Sequence, residues 1–198
     1  MFIPNKEITF VVSNNLKKME RIELNNLRDE VFKIAVDHGW HEEDMGNETC
    51  IVLIISELCE AMEADRKNKR AIRKNYDKLL KVYEEDFNSD AFELYIKDSL
   101  EDELADVIIR CLDLAGLRDL NMNWSWNKPA YSASKFPVFV YDATNILTAN
   151  IDLESRMRCI IEFTLDQCNA MNIDIDWHIK QKVLFNKERP YKHGGKNY

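Results

Sequence analysis

Four acidic side chains fall into two pairs within segments that are otherwise apolar. Glu57 precedes Glu60 by three residues, and Glu103 precedes Asp106 by the same interval. On a helix this spacing places both side chains on one face, with their Cβ atoms about 5–6 Å apart. Two ionised carboxylates at this distance repel each other, and apolar surroundings further disfavour the charged form. If the two helices are neighbours, a divalent cation bound through oxygen would relieve the repulsion, and Mg²⁺ suits such a site best.

A more ordinary interpretation of helical acids is that they face solvent and pair with a basic residue four positions away. Asp106 has Arg110 at that position, so a simple ion pair would explain it. Glu57 and Glu60 have no basic residue four positions away on either side. They carry most of the metal-site hypothesis, and one of them is our candidate for a catalytic base. The solvent-facing interpretation is favoured for Glu63, Asp65, Glu101 and Asp102.

Iron and zinc sites are poorer explanations of the same residues. A di-iron carboxylate bundle requires Glu-x-x-His on two helices, and the third residue after Glu57, Glu60 or Glu103 is never His. The five cysteines are odd in number, form no Cys-x-x-Cys pair and lie within helical patterns. We therefore expect small core residues rather than zinc ligands or disulfide partners. They are Cys50, Cys59, Cys111, Cys159 and Cys168.

The segments that must position the acids are predicted to be helical. Apolar residues recur at helical spacing over residues 22–39, 99–116, 153–171 and 177–186, with Ser99 as the N-cap of the second of these. Residues 47–65 are apolar on nearly all sides, which predicts a buried helix. An exposed helix over about residues 71–85, followed by a loop, is also predicted.

Two short β-like runs stand apart from this helical pattern. Residues 8–12 and 136–141 are rich in Ile, Val, Phe and Tyr and would form at most one small two-stranded element. Pro137 limits the second run to an edge strand. With only five glycines and four prolines in the chain, an all-β fold is excluded and an all-α fold is predicted.

Composition favours a globular cytosolic protein that acts on small molecules. The chain has 198 residues, of which 45% are hydrophobic and 31% charged. Its formal net charge of −8 argues against a nucleic-acid partner, although a small anionic substrate is compatible if a cation intervenes. No run approaches the roughly 20 apolar residues of a membrane span, and the first ten residues lack a secretory pattern. We therefore expect no membrane partner.

The two acidic pairs belong to a longer pattern that resembles a known family. Glu57-Leu-Cys-Glu60 followed by Glu103-Leu-Ala-Asp106 is similar to the ExxE…ExxD signature of the MazG-like, all-α nucleoside triphosphate pyrophosphohydrolases. That family includes dimeric dUTPases and dCTP pyrophosphatases. Residues 27–41 resemble the first helix of phage and bacterial members, and residues 182–194 resemble their closing segment. The three ordered matches together cover about half of the chain.

The resemblance implies a single domain over residues 1–198, with a four-helix-bundle core, insertions at about 66–96 and 122–152, and assembly into a homodimer or homotetramer. It also implies that Glu57, Glu60, Glu103 and Asp106 bind Mg²⁺, with Mn²⁺ as an alternative ion. A (deoxy)nucleoside triphosphate would then be hydrolysed to the monophosphate and pyrophosphate. The residues that match phosphate or nucleotide contacts are Lys182, Asn186 and Arg189, and Trp40 matches an aromatic residue near the base pocket.

Three positions depart from the family pattern and leave the base preference open. Ser56 stands where many members have a further Glu, His41 where close relatives often have a second Trp, and Arg110 where some have a substrate-contacting Tyr. The alternative function is a catalytically silent helical protein that binds a nucleotide or a partner on the same scaffold.

Overall fold

The computed structural model describes residues 24–124 and 134–195, and within these ranges every regular element is a helix. The all-α prediction is therefore confirmed. None of the described helices is long and apolar enough to cross a membrane. In chain order the helices are α1 (Leu24–Asp37), α2 (Gly46–Arg66), α3 (Arg73–Tyr83), α4 (Ser89–Tyr95), α5 (Leu100–Leu117), α6 (Phe136–Thr148), α7 (Leu153–Ala170), α8 (Ile175–Glu188) and α9 (Lys192–Gly195).

Helix α5 lies at the centre of the fold. It packs against α1, α2, α7 and α8, while α6 packs against α2 and α7. Apolar side chains such as Leu104, Ile108 and Leu112 on α5 are fully buried, as a helix surrounded by neighbours requires. The predicted N-cap is confirmed, since the Ser99 hydroxyl accepts a hydrogen bond from the backbone N–H of Asp102 at 3.3 Å. The helix that carries two of the predicted acids is thus the core of the molecule.

Two glycines allow close approaches at α1. A Cβ atom at Gly116 of α5 would lie 2.5 Å from the Cβ of Phe32, so α1 and α5 touch at a point where only glycine fits. Gly39, with φ +80°, ends α1 in the left-handed conformation, and the ring of Tyr191 lies against it. Trp40 follows directly.

The predicted strand at residues 136–141 is wrong, because this run is the beginning of α6. Pro137 lies in the first helical turn, where its missing N–H would have no intrahelical partner in any case. The buried residues Phe136, Phe139, Ala143 and Leu147 follow helical spacing. The other predicted strand, residues 8–12, lies outside the described residues.

The segment between α2 and α5 contains two helices rather than a helix and a loop. The exposed helix predicted near residues 71–85 is α3, but the predicted loop contains α4, whose first turn is capped by the Asn88 side chain. Tyr76 and Phe92 are fully buried here, and Phe92 stacks on Phe185 of α8 at 4.6 Å between ring centroids. The Tyr76 hydroxyl also donates a hydrogen bond to Gln181 of α8 at 2.6 Å. This segment therefore packs against the helix that carries the predicted basic residues.

The prediction that α2 is buried on nearly all sides is wrong. Val52 is 61% exposed, and Cys59 and Glu60 also face outwards. The core-cysteine prediction holds for the three cysteines that are buried and fails for Cys59, which is exposed, while Cys159 is half-buried. The remaining sides of α2 pack against α5 and α6. One apolar stripe of α2, with Val52 and Cys59, is therefore left uncovered by the part of the chain that the structure describes.

Candidate functional site

One cleft with a volume of about 400 Å³ contains every residue predicted to form the site. We call it the main cleft. Its walls are the C-terminal half of α1, the middle of α2, one face of α5 and the end of α8. The predicted residues along it are Trp40, Glu57, Glu60, Glu103, Asp106, Lys182, Asn186 and Arg189.

Three of the four predicted metal ligands converge in this cleft. Carboxylate oxygens of Glu57, Glu103 and Asp106 all lie within 4.8 Å of one another, and we call these residues the acid cluster. Glu57 reaches the cluster from α2, while the other two project from successive turns of α5. Glu60 lines the same cleft but is exposed and falls outside this group, so its role as a fourth ligand stays a prediction.

The acid cluster perturbs the proton affinities of its own members. Burial, reinforced by the charge of Asp106, raises the pKa of Glu103 to about 9. Burial and Asp106 also raise the pKa of Glu57 to about 7, although Arg110 opposes this shift. Without a cation in the cluster, Glu103 is therefore protonated at neutral pH.

Lys182 is buried between two acids of α5. Its Nζ atom lies 2.7 Å from Oδ2 of Asp106 and 2.9 Å from Oδ2 of Asp102. Burial disfavours the ammonium charge, but the two carboxylates outweigh it and raise the pKa of Lys182 above its ordinary value. Lys182 is thus a fixed positive charge beside the acid cluster.

Asp102 was missed by the sequence analysis. It was expected to face solvent, yet it is 1% exposed. Its Oδ2 atom also accepts a hydrogen bond from the backbone N–H of Asp98, at 2.9 Å, whereas its Oδ1 atom has no hydrogen-bond partner among the described residues. The signal that identifies it is its position four residues before Asp106, on the same face of the helix. Glu101, expected to be exposed as well, is also buried and accepts a hydrogen bond from the backbone of Ala71.

Arg110 pairs with α2 rather than with its own helix. Its Nε atom donates a hydrogen bond to Oε1 of Glu57 at 3.1 Å, so the ion pair predicted with Asp106 is wrong. As the sequence predicts, Glu57 has no basic partner within α2, and its partner Arg110 comes from α5. This pairing places the guanidinium group of Arg110 in the wall of the main cleft.

Asn186 and Arg189 lie where α8 ends. The Oδ1 atom of Asn186 is buried without a hydrogen-bond partner among the described residues. Partial burial lowers the pKa of Arg189, whose guanidinium lies 5.8 Å from the ring of Phe185. Both side chains line the main cleft.

A histidine joins this end of the chain to α1. The Nε2 atom of His38 lies 2.8 Å from the carbonyl oxygen of Arg189, and Nδ1 lies 2.7 Å from that of Ile34. The backbone N–H of Lys192 donates to the carbonyl of His38 at 2.9 Å. The segment that carries Arg189 is therefore held against the end of α1, next to Trp40.

Comparison of the chain with models of protein families, with curated proteins and with solved structures finds no match. The chemistry of the site must therefore be judged from its own donor atoms. Three carboxyl groups from two rigid helices offer several oxygen ligands at short separations, the donor set that hard divalent cations prefer. The acid cluster is therefore compatible with a divalent cation.

Proposed function

We propose that this protein is a Mg²⁺-dependent nucleoside triphosphate pyrophosphohydrolase, which releases a nucleoside monophosphate and pyrophosphate. The observation that carries the proposal is the convergence of Glu57, Glu103 and Asp106 in a cleft that is also lined by Arg110 and Arg189. Acids that hold a cation and guanidinium groups that contact phosphate complement a polyanionic substrate.

Glu57, Glu103 and Asp106 would hold Mg²⁺ or Mn²⁺ in this site. The ion supplies positive charge for the phosphate oxygens and lowers the pKa of a bound water. Arg189 and Asn186, at the end of α8, bind the phosphates or sugar, and Trp40 lies against the base. Lys182 is committed to Asp102 and Asp106, so in this arrangement it orients an acid and does not contact phosphate itself.

Glu57 and Glu60 are the two candidates for the base that accepts the proton of the attacking water. A group with a pKa near neutrality is best suited to this role, and that of Glu57 is raised to about 7. Glu60 is exposed to the cleft and lies outside the acid cluster. If Glu60 is the base, Glu60→Gln abolishes turnover but leaves Mg²⁺ binding unchanged.

Incubation with each ribo- and deoxynucleoside triphosphate and Mg²⁺, followed by chromatography of the products, tests the activity. We expect monophosphate and pyrophosphate from at least one substrate. Glu103→Gln should lower turnover by at least about 100-fold, because it removes an anionic oxygen ligand. Glu48→Gln, on an exposed turn of α2 outside the cleft, is the matched control. Absence of products from every nucleotide would refute the proposal.

The alternative is a catalytically silent protein that binds a nucleotide or a partner through the same cleft. The ion pairs Arg110–Glu57 and Lys182–Asp106 favour it, because they neutralise two members of the acid cluster without any metal. This alternative predicts unchanged nucleotides, and it predicts that Glu57→Ala alters stability alone. Thermal melting with and without Mg²⁺ distinguishes the hydrolase from the silent protein. Mg²⁺ should raise the melting temperature of the hydrolase, because a ligand that binds only the folded protein stabilises it, and should leave that of the silent protein unchanged.

A further inference from the structure

One face of α5 runs along the main cleft for two helical turns beyond the acid cluster. Asp106, Ile109, Arg110 and Asp113 all line the cleft, at the spacing i, i+3, i+4 and i+7 that defines a single face. Seven residues of helix span about 10 Å. Asp113 therefore marks the end of the cleft away from the metal ligands, at a distance comparable to that between the α-phosphate and the base of a nucleotide.

Trp40 lies at this same end of the cleft. It lines the main cleft together with Asp113, and the two residues also share a second, smaller cavity with Arg110. An aromatic ring is a stacking surface for any base and distinguishes poorly among bases. Discrimination at this end must come from a polar group that contacts the base edge, and Asp113 carries the only carboxylate that lines both cavities in the described part of the chain.

The Asp113 carboxylate is held in place by the residue that follows Trp40. His41 Nε2 lies 2.8 Å from Oδ1 of Asp113, and the His41 side chain is 3% exposed and packs on Phe32. Asp113 retains 16% exposure at the cleft. The Nδ1 atom of His41 is buried and has no hydrogen-bond partner among the described residues, so the ring donates from Nε2 to the carboxylate. A buried imidazole that makes a single hydrogen bond fixes the orientation of this acid.

A fixed carboxylate discriminates among bases because it only accepts hydrogen bonds. Cytosine, adenine and guanine carry an exocyclic amino group that can donate to it. Uracil and thymine present one N–H between two carbonyl oxygens, which would face the negative charge. A site built to pair with a polar substituent rejects an analogue that lacks it, because its own buried group is then left unpaired.

We infer that Asp113 is a specificity-determining residue that selects nucleotides with an amino-bearing base over those of uracil and thymine, with His41 as its positioning residue. The inference rests on the proposed function in placing a nucleotide in the cleft. It deepens that proposal by naming the substrate class. Neither residue takes part in the proposed hydrolysis, and neither belongs to the acid cluster.

Equilibrium binding of non-hydrolysable deoxynucleoside triphosphate analogues with Mg²⁺ tests the inference separately from catalysis. Titration calorimetry should show that at least one analogue of cytosine, adenine or guanine binds tighter than those of uracil and thymine by about tenfold or more. Asp113→Asn retains an acceptor for His41 and adds an amide donor for a base carbonyl. We expect it to reduce this ratio by at least about tenfold or to reverse it.

Further variants keep the test decisive if Asp113→Asn does not fold. Asp113→Ser removes the charge within a smaller side chain, and His41→Phe removes the hydrogen bond while retaining packing on Phe32; both should weaken the preference. A wild-type preference for uracil or thymine, or an unchanged ranking in folded variants, would overturn the inference. Binding with the expected ranking but without turnover would uphold it and refute the hydrolase alone. Absence of nucleotide binding would refute both.

Discussion

The Nζ atom of Lys182 lies 2.7 Å from Oδ2 of Asp106, and the same ammonium group also pairs with Asp102 one turn earlier on α5. One buried cation from α8 thus joins two acids of the central helix. It links the C-terminal part of the chain to the acid cluster through a contact in which both charges are withdrawn from water.

Loss of this cation should destabilise the protein strongly. Lys182→Met leaves two buried carboxylates without their partner, and we expect the free energy of unfolding to fall by about 3–5 kcal/mol. Urea unfolding monitored by circular dichroism measures the change. The double variant Lys182→Met/Asp102→Asn should recover part of the loss, because it removes one unpaired charge. Equal stability of Lys182→Met and wild type would contradict the role of the pair.

The acid cluster should make stability depend on pH when divalent ions are absent. Burial and Asp106 raise the pKa of Glu103 from 4.5 to about 9, so the folded protein holds this proton more tightly than the unfolded chain. The resulting stabilisation is complete below pH 4.5 and is lost as the pH rises towards 9. Glu57 acts in the same direction between 4.5 and about 7.

Glu103→Gln isolates this contribution. The amide stays neutral, so in EDTA the variant should exceed wild type in unfolding free energy at about pH 8 by on the order of 2 kcal/mol, with a smaller gain at low pH. Glu48→Gln should leave the profile unchanged. Parallel profiles for wild type and Glu103→Gln would show that folding does not raise the pKa of Glu103, and would contradict this prediction.

The contact between α1 and α5 depends on the absence of a side chain at Gly116. A Cβ atom there would lie 2.5 Å from that of Phe32, so Gly116→Ala should separate the helices and destabilise the protein by about 1–3 kcal/mol. Alanine is the better helix former, so without this contact the same substitution would stabilise α5 by up to about 1 kcal/mol. A thermal melt distinguishes these effects. A lower melting temperature for Gly116→Ala shows that crowding against Phe32 dominates, whereas a higher one shows that helix propensity dominates.

The uncovered apolar stripe on α2 is where we expect the implied homodimer or homotetramer to form. Val52 is 61% exposed on a helix whose sequence is apolar on nearly every side. Val52→Glu should shift the oligomer towards the monomer in size-exclusion chromatography with light scattering, with little effect on the fold of one chain. Val82→Glu on α3, where valine is 68% exposed, is the matched control. A monomeric wild-type protein would contradict this expectation.

Sequence patterns identified the helices of the core because their apolar spacing reflects one buried face. The predicted segments at 22–39, 47–65 and 99–116 correspond to α1, α2 and α5, with ends that differ by a few residues. The same spacing argument gave a wrong prediction for residues 136–141, because a short run of Phe, Val and Tyr is compatible with either a strand or a buried helix. Pro137 limits this run to an edge strand if it is a strand, but proline is also common in the first turn of a helix, which is where it lies.

The sequence alone determined which acids share a helix face, because helical periodicity assigns each side chain to a face. It also identified the basic residues near the C-terminus. Which charges meet was decided by the tertiary structure. Arg110 pairs with Glu57 rather than Asp106, Lys182 bridges Asp102 and Asp106, and His41 holds Asp113. Each of these contacts joins residues more than 50 positions apart in the sequence. Only the packing of α1, α2 and α8 against α5 brings them within hydrogen-bond distance.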